Sequence, residues 1–307
     1  MLGYITDPSA PGGLTRRDLP EPRPGEHDVV VEVAAYAVNR GELSLLQQRP
    51  DSWPPGQDVA GVVHVAAADG SGPPVGTRVV GIADKGGWSE RVAVPSHRVA
   101  ALPDAVTFPQ AASLPVAGLT ALRGLRTGGP LLGRRVLITG ASGGVGSFAV
   151  QLARVAGAAV TAHVSGPSRV EQVRAIGADA VITTIGPDSG PFDLVLDGVG
   201  GPVLTDAVRR LALGGTVTAY GLAGGQRSDI AFYDFAASTP GGRLQGFFVY
   251  RTGEETFGED LAILAGLVAD GRLAPQLGMV RDWSETVDAV SALRARQVTG
   301  KVVLSRC

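Results

Sequence analysis

The sequence predicts an α/β protein in two parts, a β-rich unit and a doubly wound parallel sheet. Three observations carry that prediction. Short β-branched runs, each beside Gly or Pro, crowd the first 110 or so residues. After Pro115, apolar strand-like runs alternate with Ala-rich helical ones. One of those strands passes through a glycine-rich turn directly into a helix. Close-set short strands build a small barrel or sandwich, whereas strand–helix alternation builds βαβ units. A chain of 307 residues is long enough for both.

Taken in order, 27–37 (HDVVVEVAAYA) follows a Pro/Gly-rich approach and is the longest expected strand, with shorter ones at 61–67, 78–82 and 89–94. In the second part, 135–139 (RVLIT) is a strand of the buried type, and 147–155 is a helix that stops at Gly157. Strand 159–164, helix 168–176 and strand 180–182 continue the alternation. Strands at 192–196, 215–220 and 244–250 complete the sheet, with a helix at 202–213. Helices at 259–270 and 285–296 and a strand at 301–304 close the chain. The domain reading is therefore 1–115 with 251–307, and 116–250.

Composition removes several function classes. Hydrophobic residues make up 44% and charged residues 18%, enough apolar matter for a real core. The formal charge is −2, so no basic excess exists to neutralise nucleic acid. Cys307 is the single cysteine, which excludes an intrachain disulfide and a zinc site built from several thiolates. His27, His64, His97 and His163 show no short metal-ligand spacing and read as structural or surface residues, so no metal is expected. Residues 1–12 lack an apolar signal core, and no run approaches the roughly 18 apolar residues of a membrane span. The expectation is a soluble, cytoplasmic protein without a nucleic-acid or membrane partner.

The chemistry concentrates at 136–152, VLITGASGGVGSFAVQL. Here Gly143 lets the backbone approach a pyrophosphate, Gly146 and Ala149 permit close helix packing, and the helix N-terminus offers free N–H groups to the anion. An NAD-type unit then places Asp or Glu at the end of the second strand, about 20 residues on. This chain has Val164, followed by Ser165, Gly166, Pro167, Ser168 and Arg169. Hydroxyls and a guanidinium suit a 2′-phosphate, so the cofactor reading is NADPH.

The turn also fits the TGxxxGxG pattern of short-chain dehydrogenases, which pair it with a Tyr and a Lys four residues later. Tyr4, Tyr36, Tyr220, Tyr233 and Tyr250 are followed there by Pro8, Arg40, Gly224, Ala237 and Glu254. That reading fails. Other stretches point elsewhere: Ala37-Val38-Asn39, GQDVAG at 56–61, GTRV at 76–79, GWSE at 87–90, AASLPVAGLTA at 111–121, GAD at 177–179 and GKVVL at 300–304. In this order, nearly end to end, the chain resembles the medium-chain dehydrogenase/reductase superfamily in its zinc-independent quinone oxidoreductase branch.

The resemblance implies a GroES-like catalytic domain, a Rossmann domain and a cofactor held between them. Where the zinc-dependent branch carries a Cys and a Gly-His-Glu motif, this chain reads Asn39-Arg40-Gly41-Glu42 and Gly56-Gln57-Asp58. Carried over from the branch, Asn39 would lie beside the nicotinamide ribose or substrate and Thr120 near the carboxamide. Ser142, Gly143, Gly144, Val145 and Gly146 would hold the pyrophosphate. Gly221 and Leu222 would line the cleft, Phe247, Phe248 and Val249 would offer backbone to the carboxamide, and Arg296 would stand on the 2′-phosphate side. Tyr36 and Glu42 flank the Asn39 loop and are the candidate acids, although ordinary burial preferences make Tyr36 a core residue and Glu42 a solvated one.

Hydride transfer to an acceptor that is already electron-poor needs positioning more than a Lewis acid. The implied activity is therefore reduction of a small electrophilic substrate, a quinone or α,β-unsaturated carbonyl. The alternatives are a trans-acting enoyl-thioester reductase of fatty-acid or polyketide type and a dinucleotide-binding protein with a structural or regulatory role. The apolar strand at 244–250 is expected at a sheet edge, and the resemblance implies a homodimer formed by pairing it.

Overall fold

The computed structural model describes residues 1–236 and 239–306. Cys307 lies outside them. The strands and helices run β1 (Leu2–Thr6), β2 (Leu14–Asp18), β3 (Asp28–Val38), α1 (Arg40–Gln48), β4 (Asp58–Val65), β5 (Arg78–Ile82), β6 (Arg91–Pro95), β7 (Val99–Ala101), α2 (Phe108–Ala112) and α3 (Pro115–Arg126). Then come β8 (Arg135–Thr139), α4 (Gly144–Val155), β9 (Ala159–His163), α5 (Val170–Ala175), β10 (Ala180–Ile182), β11 (Phe192–Asp197), α6 (Gly201–Val208), β12 (Leu211–Ala219), α7 (Phe232–Ala236) and β13 (Arg243–Gly246). The chain closes with α8 (Phe257–Ala269), β14 (Leu277–Asp282), α9 (Thr286–Arg294) and β15 (Lys301–Ser305).

Two compact units result. The first takes 1–119, 253–271 and the chain from Pro275 on; the second takes 120–252 and 272–274. The last three residues join the second unit because the Gln151 amide clasps Ala274, donating to its carbonyl at 3.1 Å and accepting its N–H at 2.8 Å.

In the first unit, β3 organises a seven-stranded sheet of order β14-β15-β3-β4-β5-β7, with β6 also on β3. One edge of β3 pairs β6 over 28–32 and β15 over 35–38, while the other pairs β4. Register shifts in β3 at Val30/Val31 and Val33/Ala35 let the sheet bend as it changes partner. Tyr36, Trp88 and Trp283 meet in the core beneath it. A β1–β2 hairpin forms its own two-stranded sheet and is tied to residues 88–90 by a Gly3–Ser89 bridge.

The second unit is a six-stranded sheet of order β10-β9-β8-β11-β12-β13, parallel throughout. Val136, Leu137 and Ile138 of β8 are all fully buried, as expected of a strand covered on both faces. Two expectations need correction. The helix expected at 202–213 ends at Val208, and β12 starts at Leu211, because Leu211 already pairs with Phe192 of β11. The strand expected at 244–250 is only Arg243–Gly246. Phe247 still donates to the Ala219 carbonyl at 2.8 Å, but the chain then coils into a short 3-10 turn at Val249–Arg251. Among the described residues no helix is long and apolar enough to cross a membrane.

Candidate functional site

A parallel sheet in this order reverses direction between β8 and β11, and ligands bind outside the carboxyl ends of the strands at such a point. The predicted turn sits there. Gly140, just past β8, has φ +61, a backbone setting that glycine adopts freely. Gly146 has no room for a side chain, since a Cβ would overlap the Gly140 carbonyl oxygen. The glycines thus let α4 start hard against the strand. Gly143 is its N-cap and supplies no capping side chain. The N–H groups of Gly144, Val145 and Gly146, in the first turn, have no carbonyl partner within the helix. Ser142 lies beside them, 3% exposed. A row of free N–H groups at a helix start, with no acid among them, fits a pyrophosphate.

The second-strand loop meets this turn directly. Val164 is buried, while Ser165 and Ser168 are exposed and Arg169 is half-buried. The Arg169 guanidinium donates to Ser142 Oγ at 3.0 Å. The loop therefore presents a cation at the phosphate turn where an NAD-type unit presents a carboxylate. Further along the same sheet edge, Gly221 lies against the Gly198 carbonyl, where a Cβ would sit 3.0 Å from the oxygen. Leu222 and Phe248 are exposed, at 59% and 62%, and Val249 is buried. Thr120 belongs to α3 in this unit and is buried.

A polar group at the switch point went unread in the sequence. Asp197, at the end of β11, is fully buried and accepts from Thr139 Oγ1 at 2.6 Å and from the Gly200 N–H at 2.9 Å. Burial raises its pKa above the usual carboxylate range, against the pull of those hydrogen bonds. It fixes the β11–α6 corner, and the Tyr220 ring lies over Gly198 where a Cβ would collide with it. An acid followed by Gly-Val-Gly-Gly after an apolar strand was the available signal.

The first unit holds Asn39, Tyr36, Glu42 and Arg296. Asn39 caps α1 in a reciprocal capping box with Glu42. Its side chain is tied at both ends: Nδ2 donates to Asp58 Oδ2 at 2.9 Å, and Oδ1 accepts from Lys301 Nζ at 2.6 Å. Lys301 also pairs with Asp58 at 3.0 Å, and Asp58 Oδ1 accepts the Val116 N–H at 2.8 Å. Glu42 overturns the expectation of a solvated residue. It is fully buried and accepts the Asn39 N–H at 2.8 Å and the Gln57 N–H at 3.0 Å. Burial, and then the Asp58 charge, push its pKa up to about 8.

Tyr36 is a core residue with no exposure. Its hydroxyl bonds Thr286 Oγ1 at 2.6 Å, and burial raises its pKa. Arg296 is exposed and ends α9 in the left-handed setting, φ 60. Of the histidines, His163 is buried at the end of β9, with its pKa lowered by that burial, and His27, His64 and His97 are exposed. Among the described residues no group of three or more His, Cys, Asp or Glu side chains is placed to hold a metal ion.

Comparison with known proteins places these features. Residues 25–104 match the family model for the alcohol dehydrogenase GroES-like domain, and residues 144–266 match that for zinc-binding dehydrogenase. The chain is 32% identical over 303 residues to a 2-methylene-furan-3-one reductase of Solanum lycopersicum, covering 91% of this chain and 72% of the reductase. A solved mycobacterial quinone oxidoreductase superposes with TM-score 0.87 at 27% identity over 99% of both chains. A mycobacterial protein complexed with NADPH gives 0.86 at 28% identity, over 99% of this chain and 100% of the other. The chain is also 36% identical over 298 residues, 92% of its length, to a spectinabilin polyketide synthase system protein of Streptomyces orinoci. It spans only 13% of that relative and 5% of a Streptomyces halstedii polyketide synthase that it also matches. Matched in order along both units, with a relative above 30% identity covered over most of its length, the chain belongs to the medium-chain dehydrogenase/reductase superfamily, in its quinone oxidoreductase branch.

Proposed function

We propose that the chain is an NADPH-dependent oxidoreductase acting on an electron-poor acceptor, a quinone or α,β-unsaturated carbonyl. The observation that carries the reading is the hydrogen bond from Arg169 to Ser142, which sets a guanidinium at the phosphate turn of a second-strand loop without a carboxylate. When bound, NADPH supplies a hydride to the acceptor. The first turn of α4, with Ser142, binds the pyrophosphate, and Arg169 with Ser165 and Ser168 holds the 2′-phosphate. The exposed Leu222 and Phe248 exclude water along the same sheet edge.

Where the zinc-dependent branch places Cys and His, this chain has Asn39 and Gln57, and Asn39 is bound into the Lys301–Asp58 pair. Polarisation of an unactivated ketone by a metal held there therefore has no thiolate or imidazole to rest on. Tyr36 and Glu42 are both sealed in the core, so the product takes its proton from solvent, which a reduced quinone or an enolate accepts readily.

The polyketide synthase match supports a second reading, reduction of an enoyl thioester presented by another protein. Oxidation of NADPH followed with a quinone, a short enone and an enoyl thioester in parallel separates the two. Turnover on none of the three removes both. On the same reading the chain forms a homodimer through β13. That strand is the sheet edge, all four of its residues are exposed, and such an edge invites pairing. Light scattering at micromolar concentration gives a dimer mass, and a monomer mass refutes the assembly.

A further inference from the structure

At the amino ends of the parallel strands, opposite the phosphate turn, the second unit carries a half-open pocket of about 330 Å³. That is within the lower range of small-molecule pockets, about 300 Å³ and up. We propose that it is a second ligand site, which binds a small phosphate-bearing anion.

The walls are two glycine turns, at 128–129 and 214–215. Their lack of side chains opens the space. A Cβ at Gly215 would sit 2.8 Å from the Phe192 carbonyl oxygen, and Gly129 and Gly214 hold left-handed settings, φ 72 and 68.

Charge lines the floor. Leu194, Thr216 and Arg243 stand in register across β11, β12 and β13, which puts their side chains on one face of the sheet. Arg243 has no ion-pair or hydrogen-bond partner among the described residues. Arg134 enters from the other side and touches Asp193 Oδ1 only at 3.5 Å. Asp193 is the one carboxylate lining the cavity, and its Oδ2 is taken by the Arg135 N–H at 2.8 Å and by Arg135 Nε at 3.7 Å. The cavity therefore carries two guanidinia against one carboxylate that a third arginine also shares.

Thr216 lines the same space and is 8% exposed. A hydroxyl open to such a space beside two guanidinia adds a donor for an oxyanion. A tetrahedral dianion matches the planar donor fork of arginine. Free phosphate and the head of a small phosphomonoester share that chemistry. Bound there, the anion would brace the edge strand β13 to the ends of β8 and β11.

The test is calorimetric titration of the NADPH-saturated protein, which keeps the probes off the phosphate turn, at constant ionic strength. Inorganic phosphate and glycerol 3-phosphate are the two probes. Saturable binding is expected, with the tighter probe identifying the free ion or the monoester. Arg243→Gln weakens binding about tenfold or more, the loss of one charge-assisted hydrogen bond. Thr216→Val weakens it less. Absence of saturable binding by either probe, or an unchanged constant in Arg243→Gln, overturns the site.

Discussion

Replacing Lys301 by Met tests the buried network most sharply. Met keeps the length of the stem and removes the ammonium. In the native chain Lys301 Nζ lies 2.6 Å from Asn39 Oδ1 and 3.0 Å from Asp58 Oδ2, with the two side chains 3% and 0% exposed. Removing one partner of a buried pair strands the other charge and costs about 3–5 kcal/mol. Trp53, Trp88 and Trp283 are the only tryptophans and all belong to the first unit, so their fluorescence reports its unfolding. With a urea m-value of about 2–3 kcal/mol/M, the midpoint falls by about 1–2 M. Asp58→Asn added to Lys301→Met restores much of the loss, because the charge is gone and Asn still accepts the Val116 N–H. A loss under about 1 kcal/mol in Lys301→Met, or a double variant no more stable than the single, refutes the reasoning.

Two further outcomes follow from the same geometry. Arg169→Ala lowers the preference for NADPH over NADH by about 10- to 100-fold, the worth of one hydrogen bond to a charged group at about 1.5–3 kcal/mol, and leaves NADH kinetics unchanged; an unaltered ratio in steady-state kinetics removes the residue from that role. Glu42→Gln changes the pH dependence of stability. The Glu42 pKa is raised by burial from 4.5 to about 8, so its stabilising proton is fully held below about 4.5 and lost as pH rises through 8. Urea midpoints of the native chain therefore fall relative to Glu42→Gln between pH 5 and 8, at no more than about 1.4 kcal/mol per pH unit. Parallel curves contradict the assignment.

The second unit was the more legible in sequence because its signals are local. The uninterrupted apolar run at Val136–Ile138, the glycines at 140–146 and Arg169 each encode a strand, a turn or a charge within a few residues. Errors arose where a distant contact overrides local preference. The 202–213 stretch reads as one helix, yet pairing of Leu211 with Phe192 ends it early. Glu42 looks solvated on a short amphipathic helix, and nothing local reveals that the Gln57 and Asn39 N–H groups converge on it. Lys301 and Asn39 are separated by 262 residues, so the bond that holds the Asn39 amide exists only once β15 has joined β3. The β1–β2 hairpin and β14 were missed because exposed Arg16, Arg17 and Arg281 break up short apolar runs.

The central claim rests on the Arg169 loop, and coenzyme selectivity of the native chain tests it most directly. kcat/KM for NADPH and for NADH is measured with one quinone at fixed saturating concentration. The account predicts a preference for NADPH of about tenfold or more, the worth of an added charge-assisted contact to the 2′-phosphate. Equal constants, or a preference for NADH, contradict it.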